Sequence, residues 1–389
     1  MAHRTVSLSA EQARWFRIRR SGLDRPFATA ELAATALVGV QAQILPAAGL
    51  ALWNRSVGLT NAAFEDALFN RRSLVKLWGQ RNTLHIYTST DWPLLCAARA
   101  LNRTWWERSV ENGSSEFADY RHLVEEVAAL LRQRESMGRS DLRASGIDLH
   151  EELYSAWGGI FADLVRLGYA CHAGRDGSEG RFAHRERWLP DLAWNPPDPQ
   201  AANLEVARRF FAAYGPASAT DFAYWRGGST PLARGWVSAL HDSLCIVAVD
   251  GQSMLALAVD VDDLSATPPA AEQWPVHLLY RFDPLLLGHK DKQWVADAEH
   301  YKRIWRPAGH IEGIVLAHGR AVATWRYDRT GTGIAVTVAP FRALPAHVHT
   351  AVVSHAQGVA DFFGLPLVEM RIGEDKMHHP VFAHPSHTT

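Results

Sequence analysis

Residues 203–259 read NLEVARRFFAAYGPASATDFAYWRGGSTPLARGWVSALHDSLCIVAVDGQSMLALAV, and the order of signals in this stretch decides the fold class. A first helix stops at Gly215 before Pro216, and SATDFAYW makes a short second one. Thr230 as cap and Pro231 as first helical residue open a third. The hydrophobic period then changes to two: LCIVAV, the turn Asp250-Gly251 and QSMLALAV predict a β-hairpin. Three helices closed by a two-stranded ribbon describe the winged-helix variant of helix-turn-helix, whose third helix can lie in a DNA groove while the wing reaches the neighbouring backbone.

The same order occurs twice upstream. In the first pass, Ser9 and Gln12 form a capping box before AEQARWFRIRR, with Gly22 as its stop. Thr29 can cap a helix through Leu32, Ala33, Ala36, Leu37 and Val40, and Thr60 another through Phe64, Ala67 and Leu68. SLVKLW, the turn GQRN and TLHIY follow as a hairpin, then a helix capped by Thr88 or Ser89. In the second pass, helical residues 123–134 precede a short helix capped by Ser140. HEELYSAWGGIFADLVRLG (150–168) reads as one helix ended by Gly168, and YACHA, the loop GRDGSEG and RFAHRERW as a glycine-tipped ribbon.

After Asp263, SATPPAAEQWP marks a linker. HLLYRF, IEGIVLA, RAVATWRY and GIAVTVAPF predict an antiparallel sheet, followed by a helix over 347–363. The expected fold is therefore α+β: three tandem winged-helix motifs forming a concave DNA-binding surface, then a C-terminal antiparallel, barrel-like β module with a terminal helix. The expected boundaries are 1–120, 121–200, 201–263 and 264–389. The histidine-rich tail MHHPVFAHPSHTT, broken by Pro380 and Pro385, reads as a flexible end.

With 389 residues, 47% hydrophobic and 21% charged, the chain can bury a sizeable core. Cys96, Cys171 and Cys245 are far apart and odd in number, which argues against a disulfide framework or a CxxC zinc site and for a reducing cytoplasm. The N-terminal residues lack an apolar signal core. The longest uncharged stretch, 32–54, carries Gln41, Gln43 and Pro46 near its centre, so no membrane helix is expected. A net charge of -1 does not announce a nucleic-acid binder, but only five of 40 basic residues are lysine, and arginine suits bidentate phosphate contacts. Codon bias in a GC-rich genome is the plainer explanation of that count.

GxGxxG after a strand, GxxxxGK[ST], HExxH and GxSxG are all missing, which removes the entry points to common dinucleotide, NTPase, zincin and serine-hydrolase readings. What stands out is Gln41-Ala42-Gln43. Leu45 precedes Pro46 and is steered out of the α region, so the preceding helix should end around Gln43. On non-helical backbone, residues two apart point to one side, and two amides could converge on a small polar target such as water. Two polar residues bonding loose carbonyls at a helix C-terminus is the plainer reading of the same spacing.

Four matches in order make the chain resemble the AlkZ/YcaQ-type bacterial DNA glycosylases, which are built from tandem winged helices. They are QAQ at 41–43, like the family's Q-x-Q or Q-x-D; WGQRNTLH at 78–85, like W-x-x-R-G-T-L-H with Asn82 in place of glycine; RFDPLLLGHKDK at 281–292, like a cation-rich F-D-P-x-x-x-G loop; and GRAVATWR at 319–326. The resemblance covers nearly the whole chain. It implies cleavage of the N-glycosidic bond of alkylated purines, N7-alkylguanine included, and Q-x-Q places the chain on the AlkZ-like side, whose members unhook interstrand crosslinks made by genotoxic natural products and are associated with antibiotic self-resistance. The family's catalytic residues carry over to Gln41 and Gln43.

A glutamine amide is no general base at pH 7. An N7-alkylpurine is already cationic, however, so the protein need only place a water and orient dipoles toward a developing oxocarbenium. Arg81 and His85 on the first hairpin, and His289, Lys290 and Lys292 in the later loop, are candidate phosphate or lesion contacts. Asp283, before Pro284, is expected to form a turn rather than to catalyse. The reading expects no cofactor or metal, a monomer, double-stranded DNA with alkylated purines as partner, and a cytoplasmic, nucleoid-associated location. Two alternatives stand beside it: a non-enzymatic winged-helix regulator or drug-sequestering factor, and a metal-dependent hydrolase, which His347 and His349 support poorly for want of a third ligand.

Overall fold

The computed structural model describes residues 6–101 and 120–373; the histidine-rich tail lies outside them. Mixed α and β elements alternate along the chain, and among the described residues the strands form three sheets. The first hairpin, β3 (Leu74–Trp78) and β4 (Leu84–Thr88), is flanked by the short β2 (Val40–Gln41), which pairs antiparallel with β4. The second hairpin, β5 (Ala170–Asp176) and β6 (Glu179–His184), does not stand apart. It joins the first through Lys76 opposite His172, giving one sheet in the order β2-β4-β3-β5-β6. The third hairpin, β7 (Leu244–Val249) and β8 (Gln252–Leu257), carries β1 (Val6–Leu8) parallel on its outer edge.

The 199–257 stretch folds in the order expected: helices Pro199–Tyr214, Ala219–Arg226 and Thr230–Ala239, then the ribbon. The third helix is capped by Ser229, with Pro231 in the first turn. The Ser9/Gln12 capping box and the Thr29 and Thr60 caps form as read. Residues 150–168 do not form one helix. A 3-10 turn, Glu151–Tyr154, and a helix, Gly159–Arg166, are separated by a bend in which Gly158 (φ +130°) and Gly159 (φ +50°) break the helical path. The expected strand RFAHRERW ends at His184, which caps the helix Arg185–Trp188.

The C-terminal sheet runs β9 (His277–Leu279), β10 (Gly313–Ala317), β11 (Arg320–Arg329), β12 (Ile334–Pro340) and β13 (Leu367–Ile372). Its order is linear, with β9 and β13 as edges, so among these pairings it is open rather than barrel-like. Nor is it purely antiparallel: the chain crosses over through the helix Ala346–Phe362 and returns as β13 parallel to β12. A helix is what such a crossover needs. The charged, partly exposed LVEMRI hid that edge strand from the hydrophobic pattern.

The apolar clusters cut across the sequence-based boundaries. One runs from Val38 to Leu257 through all three hairpin regions. Ala47 and Leu50 pack with the C-terminal sheet and its helix, and Trp15, Ile18 and Leu23 with residues from Trp274 to Ala321. No helix among the described residues is long and apolar enough to cross a membrane.

Candidate functional site

The helix before the QAQ stretch ends at Ala36, earlier than expected, because Val38 (φ +54°) and Gly39 (φ +88°) turn the chain into β2. Pro46 then lies in the first turn of a new helix, Leu45–Trp53, where its missing N–H costs nothing. QAQ thus lies between two helices, running from strand at Gln41 into a bend at Gln43. Val40 and Ala42 enter an apolar cluster, and Gln41 between them faces the other way. Gln41 is buried and Gln43 exposed.

Each glutamine carbonyl is held by one donor. Arg81 Nη2 donates to Gln41 Oε1 at 2.8 Å, and the Leu84 N–H donates to Gln43 Oε1 at 3.2 Å. A carbonyl oxygen has two lone pairs, so each keeps one acceptor site. Arg81 lies in the hairpin turn, and Leu84 is where β4 begins. Arg81 (φ +54°) and Asn82 (φ +55°) are consecutive left-handed residues, with Thr83 N–H bonded to the Gln80 carbonyl at 3.1 Å. Residues 80–83 thus form a β-turn with two left-handed central residues, a type I′ geometry that favours glycine or asparagine. Asn82 therefore keeps the backbone that glycine would adopt and adds an oxygen that accepts from Arg99 Nη2 (3.0 Å) and Arg166 Nη2 (3.1 Å).

Arg81 Nη1 also donates to the Trp225 carbonyl at 2.8 Å. The turn can seat there because the helix Ala219–Arg226 ends on left-handed Gly227, where a Cβ would stand 2.6 Å from Arg81 Cα. His85 lies opposite Gln41 in register, buried, its Nδ1 3.0 Å from the Thr83 carbonyl. A carbonyl only accepts, so Nδ1 carries the proton. Burial, with Arg81 nearby, pushes this imidazole down to about 3, which keeps it neutral.

The RFDPLLLGHKDK loop is anchored from below. Asp283 caps the helix Pro284–Leu287 and forms a bidentate ion pair with Arg55 at 2.7 and 2.8 Å, both side chains fully buried. Its expected role at the turn is therefore one of two. His289, expected at the surface, is buried with Nε2 2.8 Å from the Tyr214 carbonyl. Lys292, expected likewise, is buried and donates to the carbonyls of Leu286 (2.9 Å) and His289. Its ammonium lies 4.5 Å from the Tyr224 ring centre, and burial, with Arg81 next in effect, lowers it to about 7. Lys290 alone of the three is exposed; its backbone N–H donates to Asp221 at 2.8 Å. The loop thus brings Lys292 to the Arg81 and Gln41 side and leaves His289 as internal support.

A family model described as "DNA glycosylase AlkZ-like" matches residues 34–362. The chain belongs to the AlkZ-like DNA glycosylase family. A Streptomyces sahachiroi protein named "Interstrand DNA cross-link repair glycosylase" is 30% identical over 303 residues, covering 74% of this chain and 80% of that one. The solved structure of Streptomyces sahachiroi DNA glycosylase AlkZ superposes with a TM-score of 0.78 at 27% identity, covering 94% of this chain and all of the other.

In this AlkZ-like chain, reading by residue type missed Arg55, Tyr214, Asp221, Arg99 and Arg166, which fix the site through distant partners. Arg55 alone carried a signal: a cation at the end of the apolar run LPAAGLALW calls for a buried counter-charge. Among the described residues Asp297, Glu299 and His300 cluster closely enough to hold a metal, but Arg320 and Arg342 engage the two carboxylates.

Proposed function

We propose that this chain is a monofunctional DNA glycosylase that hydrolyses the N-glycosidic bond of cationic N7-alkylpurines, the bulky adducts of interstrand crosslinks included. The observation that carries this reading is the QAQ segment at the end of β2, with the Gln41 carbonyl held by Arg81 from the hairpin turn and the Gln43 carbonyl held by the N–H of Leu84, where β4 begins. Their remaining lone pairs align a water and face the positive charge that grows on the sugar as the neutral base departs. No general base is required, because the leaving group is already activated. The relative's name, a crosslink-repair glycosylase, supports bulky lesions as substrates.

On this reading three winged-helix units, 1–120, 121–200 and 201–263, form a concave face for duplex DNA, with residues 264–389 bracing it. Arg81 and Lys290 face nucleic acid, while His85, His289 and Lys292 hold the scaffold behind them. A bulky crosslink cannot rotate into a snug pocket as a flipped base does, so an open face suits it. The chain acts as a monomer, without a cofactor, in the cytoplasm at the nucleoid.

The test incubates purified protein with a duplex bearing N7-methylguanine and one bearing an N7-linked crosslink, scoring strand breaks with and without alkali. Breaks that need alkali and vanish in the Gln41→Ala/Gln43→Ala variant are expected. Unchanged release by that variant, with DNA binding intact, refutes the assigned chemistry. Binding without release from either duplex puts a non-enzymatic DNA-binding role in its place.

A further inference from the structure

Trp157 presents its indole to solvent, 83% exposed, at a point where the backbone is tightly defined. The backbone N–H of Trp157 donates to Ser155 Oγ at 3.2 Å, and the Gly158 N–H to the Ser155 carbonyl at 3.0 Å. Gly159 is left-handed, and a Cβ there would fall 1.9 Å from the Leu153 carbonyl oxygen. Only glycine allows this bend, so the chain holds an exposed tryptophan in one place rather than on a loose loop. Nothing in the packing of the core asks for it.

The indole borders a concavity of about 470 Å³ lined by Glu152, Ser155, Gly159, Ala162, Asp163 and Arg166. That volume accommodates a planar ring system. The acceptors at its rim are the exposed carboxylate of Glu152 and the hydroxyl of Ser155, while Asp163 is buried and accepts from the Tyr120 hydroxyl at 2.6 Å. Arg166 is already engaged, 3.6 Å from Asp163 and bonded to Asn82. Such a rim repels a phosphate and suits the ring N–H and amino edges of a nucleobase. Arg166 on its lining is hydrogen-bonded to Asn82, in the turn next to Arg81, which holds Gln41.

We propose that Trp157 and this concavity form a base-stacking subsite, where a nucleobase displaced from the helical stack beside the lesion lies on the indole. Stacking on an aromatic face is tolerant of sequence, as a protein that follows damage requires. The inference rests on the proposed DNA glycosylase reading and adds to it a residue outside the family's motif positions.

The test is fluorescence anisotropy with two duplexes of equal length, one continuous and one carrying a single tetrahydrofuran residue that leaves a base without a partner. Trp157→Ala is expected to weaken binding of the second duplex about tenfold, the loss of one base–aromatic stack, and Trp157→Phe less than about threefold. The slope of log Kd against log salt stays unchanged, because no phosphate contact is lost. The continuous duplex responds less. Wild-type affinity in Trp157→Ala, an equal loss in Trp157→Phe, or a changed salt slope overturns the subsite while leaving the glycosylase reading in place. Failure of the wild-type protein to bind either duplex removes both. Repeating the series in the Gln41→Ala/Gln43→Ala background separates stacking from chemistry, and the Trp157 effect is expected to persist there.

Discussion

The guanidinium of Arg81 spans two neutral oxygens, Gln41 Oε1 and the Trp225 carbonyl, each at 2.8 Å. Neither contact neutralises its charge, so the fork serves to fix the QAQ strand, the hairpin turn and the end of the helix Ala219–Arg226 at one spacing. Lysine keeps the charge but has a single ammonium on a flexible stem. Arg81→Lys should therefore slow single-turnover excision of N7-methylguanine about as much as Arg81→Ala, roughly 10- to 100-fold, the scale of a small misplacement near the chemistry. A lysine variant with the wild-type rate would show that charge alone suffices.

Arg55 and Asp283 form the joint that carries this geometry to the later loop. Both are fully buried, so removing one partner strands the other charge. Asp283→Ala should cost about 3–5 kcal/mol in urea denaturation, whereas the double change Arg55→Met/Asp283→Leu recovers most of it by packing. If the double variant is no more stable than Asp283→Ala, the pair does more than compensate charge.

Local signals were legible in the sequence where their cause is local. The Ser9/Gln12 box, the Thr29 and Thr60 caps and the three hairpins each depend on residues a few positions apart. Pro46 was expected to hold Leu45 out of the α region, but Leu45 opens the next helix, and the preceding helix ended earlier because Val38 and Gly39 take positive φ, which no spacing rule demands of a valine. The fusion of two hairpins through Lys76 and His172 is a long-range pairing with no sequence mark. His289 and Lys292 looked like surface contacts because charge type was the only cue. Their burial depends on carbonyls at Tyr214 and Leu286 that fold in from elsewhere. The paired glutamines were visible; the arginine clamp on one of them was not.

Buried imidazoles contribute to the response to acid: His172, His277 and His289 are all lowered by burial, as are His85 and His355. Burial lowers His85 and His355 to about 3, from an ordinary value near 6.5. Between those values the unfolded chain binds protons that the folded one does not, so stability falls as pH drops from about 6.5 towards 3. At pH 5 each residue should remove roughly 1–2 kcal/mol relative to pH 7. His355 donates to Asn54 Oδ1 at 2.9 Å, and His355→Gln can keep that bond without titrating. The variant should lose part of the decline between pH 7 and pH 5 in denaturation midpoint. A decline as steep as that of the wild-type protein assigns the acid response to other groups.

Asn82 separates two functions that glycine in the same turn would not combine. Its left-handed backbone suits glycine at least as well, so Asn82→Gly should leave stability within about 1 kcal/mol of wild type. The side-chain oxygen is lost, however, and with it the acceptor shared by Arg99 and Arg166. Arg99 is lowered to about 9 by burial and by its arginine neighbours Arg226 and Arg166, and Asp163 at 3.6 Å offsets only Arg166, so a freed guanidinium gains most from a phosphate. Asn82→Gly should thus bind duplex DNA more tightly at low salt, with log K falling more steeply against log salt by about one unit of slope, near 0.9 for each added phosphate contact. Asn82→Val, which keeps neither the oxygen nor the left-handed preference, should instead lose stability and affinity together. If Asn82→Gly shows an unchanged slope, the two arginines face protein alone, and Asn82 serves only to neutralise the space between them.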